Sequence, residues 1–455
     1  MNNKRVHILG ICGTFMGGLA LLARQSGFQV TGCDENIYPP MSDHLFDQGI
    51  NIIPGYNAGD LPEADVYLIG NAMSRGNEAV EYLLNKKKNL VSGPEWLYQN
   101  ILRKKKVIAV SGTHGKTSTT AMISWVFEFL GRDVGYLIAG KPKNFELSSR
   151  LGTEDIFIIE ADEYDTAFFD KRAKFVHYHP DVLVINNLEF DHADIYSDLS
   201  EIKKQFHHLI RALPQNASII YPKEDENIAD LLLLGCWSKQ VPFSLDKNTE
   251  NHYIPSSSDC SNVEFISGGV SNSLEWSMLG LHNAQNAFSA ILACREFDIP
   301  LEDILGALKN FKGVSRRQEL LFEEKEVRLI DDFAHHPTAI QSTLRGLRDK
   351  YKDSRIIVLV EIRSSTMKSG FHDDALNSAV RDADLVYWKS NDNKQLDKLI
   401  TNSTIDAKAI ASVESTANEI IKNLKPRDLL ITMSNGNFEG IAILLLQRLE
   451  KRYSI

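Results

Sequence analysis

The segment Val107-Ile-Ala-Val-Ser-Gly-Thr-His-Gly-Lys-Thr-Ser118 decides the fold, because an apolar run enters a glycine-rich turn and a helix starts at about Thr117. This order predicts a buried strand followed by a phosphate-binding turn. Backbone N–H groups can surround polyphosphate, Lys116 can pair with its β- and γ-phosphates, and Thr117 can hold Mg²⁺. The predicted ATP-contacting residues of this turn are Gly112, Thr113, His114, Gly115, Lys116, Thr117 and Ser118.

The turn is shorter than the G-x-x-x-x-G-K-[ST] motif, because its glycines are Gly112 and Gly115 and position 110 is Val. The spacing favours a short-loop ATP enzyme over a generic Walker-type NTPase. The structural alternative is a tight strand-to-helix turn with an incidental lysine.

Acidic and imidazole side chains follow two later strands. Ile156 to Glu160 is an apolar run that ends in an acidic cluster, and Val182 to Asn186 leads to Asp191 and His192. The carboxyl ends of parallel strands meet at one edge of a sheet, where ligands bind. Carboxylate and imidazole groups near a triphosphate are suitable ligands for divalent cations. Taken singly, each cluster is also compatible with a solvated strand end.

The first hundred residues carry a second glycine-rich turn, which contains Gly10, Gly13, Gly17 and Gly18 and is followed by Asp34 at the end of the next strand. Such a turn can bind the diphosphate of a nucleotide. An NAD site is the alternative, but the G-x-G-x-x-G fingerprint would need glycine at Cys12 and Phe15.

Alternating apolar runs and helical patterns predict an α/β chain of three consecutive domains. We place the boundaries at 1–105, 106–313 and 314–455, because a basic stretch ends at Lys106 and Gly313 to Ser315 has the composition of a hinge. The polar region from Asp246 to Asn272 is expected to form loops and small strands.

Composition restricts the class of partner and compartment. The 455 residues carry a formal net charge of −10, which argues against general nucleic-acid or membrane-surface binding. The N-terminus lacks the pattern of a secretory signal, and no apolar run approaches the length of a membrane span. The five cysteines are scattered and form no C-x-x-C pair, so we expect reduced thiols in a cytoplasmic protein.

Six ordered motifs together resemble the Mur ligases, the ATP-dependent amide-bond-forming enzymes of peptidoglycan assembly. The motifs are Gly112 to Thr117, Glu160 to Glu163, Asn187 to His192, Gly280 to Asn286, Gly313 to Arg317 and Asp331 to Pro337. The resemblance covers essentially the whole chain. It implies a Rossmann-like UDP-binding domain, a P-loop ATPase-type central domain and a Rossmann-like C-terminal domain.

The resemblance also implies residue roles. Lys116, Glu160 and His192 would be catalytic. Thr117 and Glu160 would hold one Mg²⁺, and His192 would hold a second. Further ATP contacts would come from Asn283, Asn286, Arg317 and Asp332. The UDP-sugar would contact Gly10, Gly13, Thr14, Met16, Gly17, Asp34, Asn71 and Ser74. Several relatives carry a carbamoylated lysine between the metals, and that position falls at about Phe206 in this chain.

Three stretches, 7–20, 160–172 and 361–370, are similar to the peptidoglycan-recycling branch of the family. This similarity implies that UDP-N-acetylmuramate is joined to the murein tripeptide L-Ala-γ-D-Glu-meso-diaminopimelate, with L-alanine as the alternative acceptor. Arg363 and Lys368 follow a predicted strand, where α/β domains place binding loops. Because the tripeptide carries several carboxylates, these two cations are the predicted peptide-binding residues. Solvated loop charges are the alternative interpretation.

Two other functional classes fit parts of the sequence. An NAD-dependent oxidoreductase would explain the first glycine-rich turn but leaves the segment from Gly112 to Thr117 without a role. A UDP-sugar sensor that uses ATP as a switch would need both turns but would form no amide product.

Overall fold

The computed structural model describes residues 4–39 and 41–454, so the outer ends of the predicted domains, Met1 and Ile455, lie outside the described residues. The chain divides into two units. One comprises Met1–Glu189, Asp198–Asn251 and Ser289–Leu308, and the other comprises Phe190–Ser197, His252–Phe288 and Lys309–Ile455. Within the described residues, no helix is both long and apolar enough to cross a membrane.

The first unit begins with a five-stranded parallel sheet of order β3-β2-β1-β4-β5. Strand β1 is buried from Val6 to Leu9, and its apolar residues Val6, Ile8 and Leu9 enter the core. Strand order reverses between β1 and β4, so the turn after β1 lies at a topological switch point. The strands are β1 (Arg5–Leu9), β2 (Gln29–Asp34), β3 (Asn51–Pro54), β4 (Val66–Ile69) and β5 (Leu90–Ser92), and the helices are α1 (Thr14–Gln25), α2 (Met41–Asp47), α3 (Glu78–Asn85) and α4 (Gly93–Asn100).

A seven-stranded sheet of order β14-β13-β12-β6-β9-β7-β8 follows in the same unit. Its central strand β6 lies between β12 and β9, so the carboxyl ends of all three strands are adjacent. Its elements, with one hairpin, are β6 (Lys106–Ser111), α5 (Lys116–Phe129), β7 (Gly135–Leu137), β8 (Ser149–Arg150), β9 (Ile156–Glu160), the hairpin β10 (Asp165–Ala167) and β11 (Asp170–Ala173), β12 (Val182–Ile185), α6 (Leu199–Ala212), β13 (Ser218–Pro222), α7 (Glu226–Leu233) and β14 (Lys239–Phe243).

The polar region after β14 forms a small antiparallel sheet in the second unit, as its sequence predicted. Its strands are β15 (His252–Pro255), β16 (Asn262–Ser267) and β17 (Val270–Glu275). Two helices follow, α8 (Leu281–Arg295) and α9 (Leu301–Lys309).

The C-terminal part of the second unit contains a six-stranded sheet of order β18-β19-β23-β20-β21-β22, in which β18 alone is antiparallel to its neighbour. Both faces of β20 are buried, because Val358 and Val360 enter one apolar core and Ile357 and Leu359 the other. The elements are β18 (Glu319–Glu324), β19 (Val327–Asp332), α10 (Pro337–Lys350), β20 (Arg355–Glu361), α11 (Ser365–Lys368), α12 (Asp373–Ala379), β21 (Leu385–Lys389), α13 (Asn393–Thr401), β22 (Asp406–Ala409), α14 (Val413–Lys422), β23 (Asp428–Met433) and α15 (Ile441–Tyr453).

Candidate active site

The glycine-rich turn after β6 is held against the end of β12. Gly112 has a φ of +122°, and a Cβ atom there would lie 2.9 Å from the carbonyl oxygen of Asn187. The backbone N–H of Thr113 donates to that oxygen, and the N–H of His114 donates to Oδ1 of Asn187 at 2.8 Å. Glycine is therefore required at 112 for both conformation and space.

Lys116 is the first residue of α5, and its ammonium group is enclosed by the turn and the acidic cluster. Nζ donates to the carbonyl of Gly112 at 2.6 Å and lies 3.0 Å from Oε2 of Glu163. Burial alone would lower the pKa of Lys116, but Glu163, Asp162 and Glu160 outweigh this effect and raise it. The lysine is thus held as a cation at the edge where β6 and β9 end.

Thr117 and Glu160 are brought together as the sequence motifs predicted. The hydroxyl of Thr117 donates to Oε1 of Glu160 at 2.9 Å, and the N–H of Ala139 donates to Oε2 at 2.9 Å. Hydroxyl and carboxylate oxygens are the hard donors that Mg²⁺ prefers, so this pair fits the cation that the sequence implied.

His192 lies in the second unit, in the segment Phe190–Ser197. Its φ is +59°, which a residue with a side chain seldom adopts. Its N–H donates to Oδ1 of Asp191 at 2.8 Å, and Thr366 donates to the same oxygen at 2.7 Å. Burial would raise the pKa of Asp191, but His192, His335 and the Thr366 hydroxyl together lower it below its usual range.

The glycine-rich turn after β1 is organised around a carboxylate. Asp34 accepts from the N–H of Cys12 at 2.9 Å and from the N–H of Asn36 at 2.9 Å. Gly10 has a φ of +76°, and Gly13 is the N-cap of α1. Asp34 therefore shapes the turn whose helix N-terminus can receive a diphosphate.

The remaining predicted UDP-sugar residues occupy different environments. Thr14 begins α1 and is exposed, whereas Met16 is buried against Gly70 and Gly93. Asn71 and Ser74 are exposed in the loop after β4, the strand next to β1. Gly17 packs against Met41, whose sulfur would lie 2.3 Å from an added Cβ atom. Their contact with a UDP-sugar stays a prediction.

Two of the residues predicted to contact ATP, Asp332 and Asn283, are hydrogen-bonded to Gln318. Asp332 accepts from the N–H of Gln318 at 2.8 Å, and Asn283 donates to the side chain of Gln318 at 3.4 Å. The Arg317 guanidinium lies 4.6 Å from the centre of the Phe333 ring. Burial raises the pKa of Asp332, and Arg317 opposes that rise. Asn286 is buried on α8.

Arg363 and Lys368 follow β20, but they differ in what holds them. Lys368 is exposed at the last position of α11. The exposed Arg363 lies over Gly436, where an added Cβ atom would be 2.5 Å from its Nη1 atom. Gly436 therefore provides the flat surface on which the Arg363 guanidinium rests.

Three functional residues were not identified from the sequence. Glu163 pairs with Lys116, Asn187 anchors the turn, and Gly436 supports Arg363. Glu163 and Asn187 lie inside two of the six sequence motifs. An acidic residue and an amide next to a strand end are therefore the features from which they could have been predicted. Gly436 gave no signal, because its contact comes from a strand end 73 residues away in the chain.

Phe206, the position of the carbamoylated lysine in several Mur ligases, is buried on α6. Its ring lies 4.8 Å from that of Phe175. The side chain at this position thus contributes to the core.

Three family models match successive parts of the chain, and all three describe Mur ligases. Residues 5–105 match the Mur ligase family, catalytic domain; residues 110–294 match the Mur ligase middle domain; and residues 316–436 match the Mur ligase, glutamate ligase domain.

Three relatives illustrate the degree of similarity. The UDP-N-acetylmuramate--L-alanyl-gamma-D-glutamyl-meso-2,6-diaminoheptandioate ligase of Escherichia coli (strain K12) is 46% identical over 453 residues, which cover 98% of this chain and 99% of that protein. The crystal structure of a murein peptide ligase from Psychrobacter arcticus 273-4 is 40% identical, covers 98% of both chains and has a TM-score of 0.76. A UDP-N-acetylmuramate--L-alanine ligase from Syntrophomonas wolfei is 30% identical over 371 residues, 79% of this chain and 76% of that protein. The three-domain α/β chain therefore belongs to the Mur ligase family.

Proposed function

We propose that this protein is an ATP-dependent ligase that joins the tripeptide L-Ala-γ-D-Glu-meso-diaminopimelate to UDP-N-acetylmuramate in peptidoglycan recycling. One observation carries the ATP-dependent step. Lys116 and Thr117 begin a helix at a phosphate-type turn, and each contacts a glutamate of the acidic cluster, Glu163 and Glu160 respectively. A cation, a hydroxyl and a carboxylate at this edge suit a metal-bound triphosphate.

The chemistry requires activation, because a carboxylate oxygen is a poor leaving group. An oxygen of the lactyl carboxylate attacks the γ-phosphorus of ATP, the bond to the β-phosphate oxygen breaks, and ADP leaves. The amine of the tripeptide then attacks the acyl carbon, the bond from that carbon to the phosphate oxygen breaks, and the amine proton leaves with hydrogen phosphate as the amide forms. Lys116 supplies positive charge to the transferring phosphoryl group. Mg²⁺, when bound, neutralises phosphate charge.

We assign a different substrate to each of the two glycine-rich turns. We assign the UDP-sugar to the turn after β1, because its helix N-terminus lies at a switch point and is shaped by Asp34. We assign Thr117 and Glu160 to one Mg²⁺, His192 to a second Mg²⁺, and Asn283, Asn286, Arg317 and Asp332 to the nucleotide. The boundaries 1–105, 106–313 and 314–455 remain our proposed domain limits.

The tripeptide is favoured over L-alanine as the acceptor for two reasons. The ligase named for the tripeptide is 46% identical to this chain, whereas the L-alanine ligase is 30% identical to it. Arg363 also lies just after β20, Lys368 ends the following α11, and the fork of Arg363 can bind a carboxylate with two hydrogen bonds.

A single assay tests the proposal. The protein is supplied with ATP, Mg²⁺ and UDP-N-acetylmuramate, and L-alanine and the tripeptide are compared as acceptors. We expect ADP, phosphate and a UDP-linked tripeptide product in equal amounts, detected by mass spectrometry. A preference for L-alanine would show that L-alanine, and not the tripeptide, is the acceptor. ATP-independent turnover of NAD, or binding of both nucleotides without amide formation, would refute the ligase.

A further inference from the structure

One hydroxyl group in the second unit is bound to both residues that flank His192. Oγ1 of Thr366 donates to Oδ1 of Asp191 at 2.7 Å, and the N–H of Ala193 donates to Oγ1 of Thr366 at 3.1 Å. The hydroxyl therefore acts as donor and acceptor at once. Thr366 is 1% exposed and Asp191 is 4% exposed, so solvent does not replace these bonds readily.

Thr366 belongs to the segment that carries the predicted peptide-binding residues. Thr366 is the second residue of α11 and lies between Arg363 and Lys368 in the chain. Ser364 caps this short helix by accepting from the N–H of Met367, and Gln395 donates to the carbonyl of Met367 at 2.8 Å. Thr366 is thus fixed by its own helix and by its neighbour α13.

The backbone at His192 needs such support. A φ of +59° is costly for a residue with a Cβ atom, and such a conformation persists where surrounding contacts impose it. The N–H groups of Ile195 and Tyr196 both donate to the carbonyl of His192 at 3.0 Å. The contacts of Thr366 with Asp191 and Ala193 add to the bonds that hold the backbone on either side of His192.

We propose that Thr366 is a positioning residue that links the acceptor segment Arg363–Lys368 to His192, so that the placement of the imidazole and the binding of the tripeptide depend on each other. This inference rests on the proposed function, because it uses the assigned roles of His192 and Arg363. The geometry is specific to a hydroxyl, since neither bond to Thr366 survives its replacement by a methyl group.

Two substitutions separate the hydroxyl from the volume of the side chain. Thr366→Val keeps the shape and removes both bonds, whereas Thr366→Ser keeps both bonds. We expect Thr366→Val to raise the KM for the tripeptide and the Mg²⁺ concentration for half-maximal activity, each by roughly tenfold to a hundredfold, because a hydrogen bond to a charged group is lost. The KM for UDP-N-acetylmuramate should stay unchanged, and Thr366→Ser should remain near wild type. Thr416→Val, at a buried position of α14, is the matched control and should leave all constants unchanged.

A binding experiment tests the link independently of turnover. Binding of Mn²⁺ in the presence of a non-hydrolysable ATP analogue is measured by electron paramagnetic resonance for Thr366→Val, His192→Ala and the double variant. If Thr366 acts through His192, its substitution weakens Mn²⁺ binding in the wild-type background and has no further effect in His192→Ala. Additive effects, or equal behaviour of Thr366→Val and wild type, would overturn the inference.

The two proposals fail in different ways. A wild-type protein that forms no amide product contradicts the proposed function, while the Mn²⁺ experiment still decides whether Thr366 positions His192. A wild-type ligase whose Thr366→Val variant has unchanged constants contradicts the inference alone.

Discussion

The ammonium nitrogen of Lys116 lies 3.0 Å from Oε2 of Glu163, and both side chains are largely shielded from solvent. Each charge compensates the other in a region of low dielectric constant, so removal of Lys116 takes a close counter-charge away from the buried Glu163. The residue assigned to phosphate thus also has a structural role, and the two roles can be separated by mutation.

Lys116→Ala should lower ligase turnover by about a hundredfold or more, because charge on the phosphoryl group is no longer stabilised. It should also lower the free energy of unfolding, because the buried Glu163 carboxylate loses the ammonium group 3.0 Å away. The double variant Lys116→Ala/Glu163→Gln should recover most of that stability but not the turnover. Urea denaturation and steady-state rates measure both effects. A double variant with wild-type turnover would remove Lys116 from the mechanism.

Gly112→Ala should both destabilise the protein and abolish ATP-dependent activity. The positive φ of +122° disfavours alanine, and the neighbouring atoms of Asn187 are backbone atoms that cannot move aside. We expect a loss of roughly 1–3 kcal/mol or more in unfolding free energy. Gly59→Ala is the control, because no atom lies within 4 Å of its added Cβ, and it should change stability by about 0.5 kcal/mol at most. Equal stability of the two variants would contradict the close approach at Gly112.

Arg363→Ala and Gly436→Ala should have similar consequences for the tripeptide. The first removes the guanidinium, and the second displaces it, since the added Cβ would lie 2.5 Å from Nη1. Both should raise the KM for the tripeptide about tenfold or more without changing the KM for ATP, because a contact with the acceptor alone is lost. Gly306→Ala, at a position with open space, should leave every KM unchanged. If Arg363→Ala left the KM for the tripeptide unaltered, Arg363 would be a solvated loop charge and not a peptide-binding residue.

His7 should make the protein less stable as the pH falls from about 6.5 to 4. Burial lowers the pKa of His7 to about 4. The unfolded chain has an imidazole pKa of about 6.5, so it gains a proton in this window while the folded protein does not. The stabilising contribution of neutral His7 to the free energy of unfolding is fully present above pH 6.5. Its loss by pH 4 amounts to about 3 kcal/mol. Urea denaturation across this range should show a shallower decline for His7→Asn, and an equal decline would assign the effect to other groups.

Reductant should leave the melting temperature unchanged. The five cysteines are free, and burial followed by the charge of Asp34 raises the pKa of Cys12 to about 11 and that of Cys33 to about 12. Such thiols are protonated at neutral pH and react slowly with oxidants and alkylating agents. Thermal melts with and without reductant, and alkylation followed by mass spectrometry, measure both expectations. A large shift on reduction would contradict the expected reducing compartment.

The strands that the sequence predicted well are those buried on both faces. The runs before Gly10, Gly112 and Arg363 became β1, β6 and β20 within a residue or two, because parallel strands covered by helices need continuous apolar side chains. The edge strands β14 and β22 were not predicted, because their sequences do not form continuous apolar runs. β22 reads Asp-Ala-Lys-Ala, and β14 contains Pro242, which an edge strand tolerates.

Local sequence determined the chemical groups of the candidate site, because a strand, a glycine-rich turn and a helix N-terminus are contiguous in the chain and dictate their own geometry. It also determined that Glu160 and Lys116 would share a sheet edge, since the ends of neighbouring parallel strands are adjacent.

Tertiary structure alone decided which side chains support these groups. The contacts of Glu163 with Lys116, of Gly436 with Arg363 and of Thr366 with Asp191 join residues 47, 73 and 175 positions apart. Periodicity and motif spacing describe neighbours along one element, whereas these contacts depend on strand order and on the packing of loops at the sheet edge. The sequence therefore determined the chemistry that this protein can perform, and only the folded chain determined what holds each reacting group in place.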